Sequence, residues 1–338
     1  MRIRLTLLPV DKKAVLPINY NYYLTSLIYR FIFSSSRDYS SFLHNEGYRM
    51  GESKKGFKLF TYSMLNGRKY TVKSDVIIFE NAPIIWEISS PVDIFLQHLI
   101  TGAFTQGQLI DIGYGGARKN KGLGLGAETG IRTAAVGVKE EADIGVTGAR
   151  FLIDRVETAP KPDFKKTMCF TCLSPITVSR VYDKKTGAGK IAVRETSVNN
   201  FGAELNENID NDSGNFINDA DLGCHYIRPW EDGFSEAIEQ NLIKKYRLVY
   251  GKDPEGGSGN LGNLDKGSDK PDFKITIDNG YMNKKGGRIT KKLNFKGTEI
   301  IGFMAPFEVT GNPELIEIGY EAGFGEKGSI GCGMVREC

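Results

Sequence analysis

Histidine is scarce in this chain, with 3 among 338 residues: His44, His98 and His225. Imidazole chemistry therefore has few places to reside. The sequence has no G-x-x-x-x-G-K-[ST], no H-E-x-x-H and no paired carboxylates on one element, which removes the P-loop, zincin and paired-carboxylate readings. No apolar run approaches the roughly 18 residues of a membrane span, and the opening MRIRLTLLPVDKK is too short in apolar residues for a signal-peptide core. A soluble, cytoplasmic protein is expected. The 5 cysteines are few and odd in number, which fits a reducing compartment better than a disulfide framework. Net charge is small: 44 Lys and Arg against 41 Asp and Glu leave +3, so global charge does not call for nucleic acid.

What is present is an ordered alternation of elements. RIRLTLLP reads as a strand, and NYNYYLTSLIYRFIF as a helix because Leu24, Leu27, Ile28, Phe31 and Ile32 recur on one face. FKLFTYSML, KYTVKSDVIIFE and IIWEISS read as strands, VDIFLQHLITGAF as a helix behind Ser90-Pro91, and ARFLIDRVETAP as a closing strand. A second series runs from the strand KTMCFTCLSPITVSR through the helix GFSEAIEQNLIKKYRLVYG, with Gly251 past its end. Strands at DFKITID, RITKKLNF and EIIGFMAPFEV follow, then a short helix at PELIEIGYEAG and a last strand IGCGMV. Each series reads β-α-β-β-α-β. The expectation is an α+β protein of two tandem ferredoxin-like (RRM-like) domains, residues 1–163 and 164–338. Two polar or glycine-rich stretches, about 113–150 and 183–228, read as long insertions.

Among the histidines, His98 sits within a helix beside Leu99, where a structural role is the simpler reading, and His225 follows Cys224 with no evident partner. His44 ends the segment DYSSFLHNEG, where a helix terminus suits a proton donor. Tyr29 points roughly 130° from the centre of the apolar stripe of its helix, at about 100° per residue. Lys58 opens KLFTYS just after the loop that follows His44. A tyrosine, a histidine and a lysine on adjacent elements suit phosphodiester cleavage, in which a 2′-hydroxyl loses a proton, a pentavalent phosphate is stabilised and a 5′-oxygen gains a proton. Cys169-Phe-Thr-Cys172 is a literal C-x-x-C, but i and i+3 of a strand face opposite ways and no second pair stands at zinc-finger spacing. No metal site or cofactor is expected.

The run GYEAGFGEKGSIGCGMV, residues 319–335, contains a G-x-G-x-x-G from Gly323 to Gly328. Only ten residues follow, too few for the helix, strand and acidic residue of a dinucleotide fold. The alternatives are a cluster of structural turns or a loop whose amides follow a phosphate-bearing ligand. NKKGGRITKKLNFK carries Lys284, Lys285, Lys291 and Lys292 without an acid, a basic stripe or a solvated hairpin.

LPINYNYYLTSLIYRFI, FLHNEG, FKLFTYS, IIWEISSP, LSPITV, EQNLIKKYRLVYG and above all the glycine run together resemble the CRISPR repeat-processing endoribonucleases, the sixth family of CRISPR-associated proteins in the RAMP superfamily. The resemblance runs in order along nearly the whole chain. It implies a metal-independent nuclease that cuts precursor CRISPR RNA within each repeat, leaving a 2′,3′-cyclic phosphate and a 5′-hydroxyl. It also implies Tyr29, His44 and Lys58 as catalytic residues, and Gly323, Gly325, Lys327 and Gly328 as RNA contacts at the junction of the domains. Partners implied are CRISPR repeat RNA as precursor and product, with a CRISPR interference complex and a homodimer as further associations. A non-catalytic repeat-RNA binder of the same family is the rival, against which the presence of His44 argues. The RNP motif of a plain tandem RNA-binding module is missing.

Overall fold

The computed structural model describes residues 1–51, 56–113, 148–183, 189–193, 209–210, 216–217, 222–255 and 273–338. In chain order its first half holds β1 (Arg2–Pro9), β2 (Lys13–Pro17), α1 (Asn21–Ser35), α2 (Arg37–Asn45), β3 (Thr61–Tyr62), β4 (Asn66–Gly67), β5 (Tyr70–Lys73), β6 (Val76–Glu80), β7 (Ile84–Ser89), α3 (Asp93–Thr105), β8 (Leu109–Ile112) and β9 (Ala149–Ala159). The second half holds β10 (Thr167–Cys172), β11 (Ser179–Asp183), β12 (Gly189–Val193), β13 (Ile209–Asp210), β14 (Phe216–Ile217), β15 (Leu222–Tyr226), α4 (Phe234–Tyr250), β16 (Lys274–Ile277), α5 (Asn279–Lys284), β17 (Thr290–Phe295), β18 (Thr298–Phe303), β19 (Pro306–Thr310), α6 (Pro313–Ala322) and β20 (Val335–Glu337).

Two antiparallel sheets organise these elements. The first runs β3–β7–β1–β9–β8, with β4 also paired to β7, and the second runs β16–β19–β10–β20. In the first sheet β1 lies between β7, which precedes α3, and β9, the second strand after that helix; in the second, β10 lies between β19, which precedes α6, and β20, which follows it. The helices form for local reasons. Leu24, Leu27, Ile28, Phe31 and Ile32 of α1 are all buried, as their spacing predicts. Ser36 accepts the Tyr39 amide to start α2, and Asn312 accepts the Glu314 amide ahead of Pro313 to start α6. Gly102 lets α3 close on α1, since a Cβ there would lie 1.6 Å from the Phe31 carbonyl oxygen. One apolar cluster spans residues 3–153 and a second spans 168–335.

The structure revises several sequence expectations. FKLFTYSML is not one strand: Leu59 has a φ of +49°, within it only Thr61–Tyr62 forms a strand of the sheet, and the next short strand, Asn66–Gly67, lies just past it. KYTVKSDVIIFE forms the hairpin β5–β6, which joins β2 in a separate small sheet. EIIGFMAPFEV breaks into β18 and β19 before Pro306, and the last strand begins only at Val335. Residues 114–147 of the first expected insertion lie outside the described residues, but part of the second is regular: β12 and β15 both pair with β11. Cys169 is not a reduced thiol. It forms a disulfide with Cys338, at a Cα–Cα distance of 5.5 Å, because the Cys338 amide extends the β10–β20 pairing by donating to the Cys169 carbonyl. Cys172, facing the other way, is buried with its thiol on the Ala305 carbonyl, so the C-x-x-C is no metal pair. Among the described residues, no helix is long and apolar enough to cross a membrane.

Candidate active site

α1, α2 and the segment leading into β3 converge on one small surface. Tyr29 stands on α1, half-buried against the first core and two turns beyond Tyr22. His44 occupies the last turn of α2, and its ring meets that of Tyr29 edge-on, with centroids 5.6 Å apart and planes at 76°. Phe60 supports the pair from below: its centroid is 6.4 Å from Tyr29, and its other neighbour is Phe95, stacked at 4.6 Å. His44 Nδ1 is 2.9 Å from Asn45 Oδ1.

Lys58 completes the group through the end of α2. A helix leaves its last carbonyls without intrahelical partners and carries partial negative charge there. Glu46 and Gly47 amides both donate to the Phe42 carbonyl, whereas the Lys58 ammonium donates to the carbonyls of Leu43 and His44, the latter at 2.8 Å. The carbonyls that the sequence offered to the imidazole are thus taken by the lysine. Burial pushes the Lys58 pKa down to about 8, and the like charge of Arg49 adds to the effect. The long stretch between His44 and Lys58 folds back on itself, since Tyr48 and Phe57 exchange both backbone hydrogen bonds at 2.8 Å. Gly56 is obligatory at that return, because a Cβ would lie 1.6 Å from the Glu46 carbonyl oxygen.

The glycine run lies against the same strand. Gly323 and Gly325 have φ values of +87° and +75°, as a loop of bare backbone requires. Their close neighbours are protein atoms: a Cβ on Gly323 would meet Thr61 at 3.1 Å, and one on Gly325 would meet the Thr177 carbonyl oxygen at 2.3 Å. Both glycines are buried, so the tight approach assigned from sequence to an RNA backbone is filled here by the two halves of the chain. Lys327, Gly328 and Ser329 form the half-exposed crest. Of the basic stripe, Lys284 and Lys285 are exposed at the end of α5, Lys291 is half-buried on β17, and Lys292 pairs with Glu299 at 3.1 Å. The β17–β18 hairpin docks on the start of α1, where Phe295 meets Tyr22 at 5.8 Å and the Asn294 amide donates to Asn19.

The other histidines have structural partners. His98 Nδ1 lies 2.9 Å from Ser35 Oγ, and its ring is 4.9 Å from Tyr39. His225, for which the sequence showed no partner, lies 2.6 Å from a Glu231 carboxylate oxygen, and Arg180 approaches the same oxygen at 3.5 Å. Sequence reasoning also missed Lys245, buried on α4 and bonded to the glycine run. The one available signal was a lysine on the inward side of the stripe Phe234, Ile238, Leu242.

A mixed α/β chain of antiparallel sheets with this cluster on its first half has clear relatives. Residues 15–113 match the family model "CRISPR-associated protein Cas6, N-terminal", and residues 217–337 match "CRISPR associated protein Cas6, C-terminal". The CRISPR-associated endoribonuclease Cas6 1 of Methanocaldococcus jannaschii is 24% identical over 99% of this chain and 92% of its own length. The CRISPR-associated endoribonuclease Cas6 of Pyrococcus furiosus is 23% identical over 99% and 89%. In fold, the chain resembles the product of a Cas6-related gene from Pyrococcus furiosus, with a TM-score of 0.64 at 21% identity over 100% of this chain and 98% of the other. The chain belongs to the Cas6 family of CRISPR-associated proteins, a family of repeat-processing endoribonucleases.

Proposed function

We propose that this protein cuts precursor CRISPR RNA within its repeats without a metal ion, by attack of a 2′-hydroxyl on the adjoining phosphate. The observation that carries the reading is the convergence of Tyr29, His44 and Lys58, from three separate elements, on one surface. In this reading Tyr29 positions or activates the 2′-hydroxyl, and the ammonium of Lys58 stabilises the pentavalent phosphate. His44 exchanges the proton that the departing 5′-oxygen needs. With Asn45 Oδ1 as an acceptor on Nδ1, Nε2 is the ring nitrogen that would face the RNA. The products are a 2′,3′-cyclic phosphate and a 5′-hydroxyl, with no water consumed in this step.

We read the two halves, 1–163 and 164–338, as ferredoxin-like domains on their shared strand order. The crest Lys327–Gly328 and the stripe Lys284, Lys285, Lys291 and Lys292 are the proposed phosphate contacts, while Gly323 and Gly325 serve the loop that presents the crest. A cytoplasmic setting and delivery of product to an interference complex accompany this function. The deciding experiment is single-turnover cleavage of a repeat transcript in excess EDTA. Cleavage that persists, with cyclic-phosphate and 5′-hydroxyl ends, supports the reading. Loss in EDTA that magnesium or manganese restores sinks it.

A further inference from the structure

Lys245 is an ammonium-bearing side chain with only 5% of its surface exposed, well inside the second half and on no proposed RNA contact. Burying an ammonium is unfavourable unless its protons find acceptors. Lys245 Nζ donates to the carbonyls of Gly323 at 2.7 Å and Gly325 at 2.6 Å, and approaches that of Ala322 at 3.4 Å. Ala322 ends α6 and Gly323 caps it, so one acceptor is a carbonyl that the helix terminus leaves over, and the two nearer ones belong to the glycines just past it, both at positive φ.

The far side of the loop so pinned rests on the elements that carry the cleavage cluster. Thr61 Oγ1 donates to the Cys332 carbonyl at 2.7 Å, and a Cβ on Gly328 would lie 2.5 Å from the Phe60 carbonyl oxygen. From α1, Asn21 Nδ2 donates to the Ile330 carbonyl and Thr25 Oγ1 to that of Ser329, both at 3.2 Å. One loop of the second half therefore touches the helix of Tyr29 and the strand entered from Lys58, next to the Phe60 that supports Tyr29.

We propose that Lys245 is a positioning residue for RNA cleavage: by fixing the glycine run, it sets the spacing between α1 and the Lys58–Tyr62 segment. The proposal rests on the catalytic reading of Tyr29, His44 and Lys58. It predicts that the second half is needed to align the chemistry as well as to hold RNA.

The test is a double-mutant cycle on the full chain with Lys245→Met and Lys58→Ala. Repeat-RNA cleavage is followed at saturating protein, and affinity is measured on a His44→Ala background. Lys245→Met is expected to slow single-turnover cleavage at least ~10-fold while Kd moves less than ~3-fold, the split that marks lost positioning. In the Lys58→Ala protein the same change should cost less than ~2-fold further, because the residue being positioned is gone. Full rate in Lys245→Met, or equal losses in both backgrounds, overturns the proposal. If Lys58→Ala itself has no effect, the catalytic reading fails, an outcome visible without Lys245. Should Lys245→Met not fold, as judged by circular dichroism, Thr61→Val at the other end of the route takes its place in the cycle. At least ~3-fold slowing that vanishes in Lys58→Ala is then expected, and an unchanged rate overturns the proposal.

Discussion

The ends of α2 and α6 are built alike. Each is followed by a glycine with positive φ, and at each a lysine from outside the helix donates to backbone carbonyls: Lys58 to those of Leu43 and His44 within α2, Lys245 to those of Gly323 and Gly325 just past α6. They differ in access. Lys245 is buried within the protein, whereas Lys58 is half-exposed beside His44 and Tyr29, with its pKa lowered to about 8. The same local device therefore fastens two parts of the fold at one helix end and holds an accessible cation at the other. Access, more than the motif, separates a structural cap from a candidate catalytic group.

Four experiments would break or sharpen that contrast. The largest effect is expected at the accessible end: His44→Ala should slow single-turnover cleavage by ~10²–10⁴-fold with little change in RNA affinity. His98→Ala, which removes the contacts with Ser35 and Tyr39, should leave chemistry nearly unchanged. Equal effects would mean that the wrong histidine has been chosen.

The second experiment uses pH. Lys58 carries charge below about 8 and loses it above, so cleavage that needs this charge should decline as pH rises through about 8. Lys58→Arg, which stays charged, should move that decline upward. For stability the sign is opposite. A lysine whose folded pKa lies below its unfolded value of 10.5 binds more protons when unfolded, so folding gains as pH rises from about 8 toward 10.5. Thermal melts across that window would lose the gain in Lys58→Met.

At the closed end, Gly325→Val must place a Cβ 2.3 Å from the Thr177 carbonyl oxygen with φ at +75°. Strain of this kind costs about 1–3 kcal/mol. The expected result is a lower melting temperature, with affinity falling only as the crest at Lys327 is displaced. A stable Gly325→Val protein with weakened binding would return RNA to the interior of the loop.

The smallest effect belongs to the basic hairpin. Each phosphate contact removed from Lys284, Lys285 or Lys291 should flatten the log–log salt dependence of single-stranded RNA binding by about 0.7. Lys292, already paired to Glu299, should contribute less. Unaltered slopes in the quadruple alanine protein would leave the end of α5 to solvent and the β17–β18 hairpin to its seat on Tyr22.

The sequence carried the local part of this structure well. The buried stripe of α1 and a helix carrying His44 near its end follow from periodicities of a few residues, whereas Tyr29, which its helical angle turned away from the stripe, is half-buried against the first core. What escaped it depends on pairing across the chain. Nothing near Lys58 announces that it will cap α2, because that bond closes only after the chain has turned back at Tyr48 and Phe57. Cys338 lies 169 residues from Cys169, and their meeting is fixed by which strand lies beside β10. The glycine run signals bare backbone, but only the packed neighbours Thr61 and Thr177 tell whether protein or ligand occupies the space. Leu59 broke an expected strand because positive φ at a leucine leaves no mark in hydrophobic alternation.

The Tyr48–Phe57 pairing also makes the candidate site modular. Because those two residues close the excursion between them, the positions of His44 and Lys58 are set on the near side of the closure and are insulated from the length of chain on the far side. Closing a longer chain segment costs only about 0.6 kcal/mol more for each doubling of its length. A change in chain length between Tyr48 and Phe57 is therefore expected to leave the spacing of His44 and Lys58 intact, which would let a fluorophore or a recognition peptide be added there without rebuilding the cleavage surface.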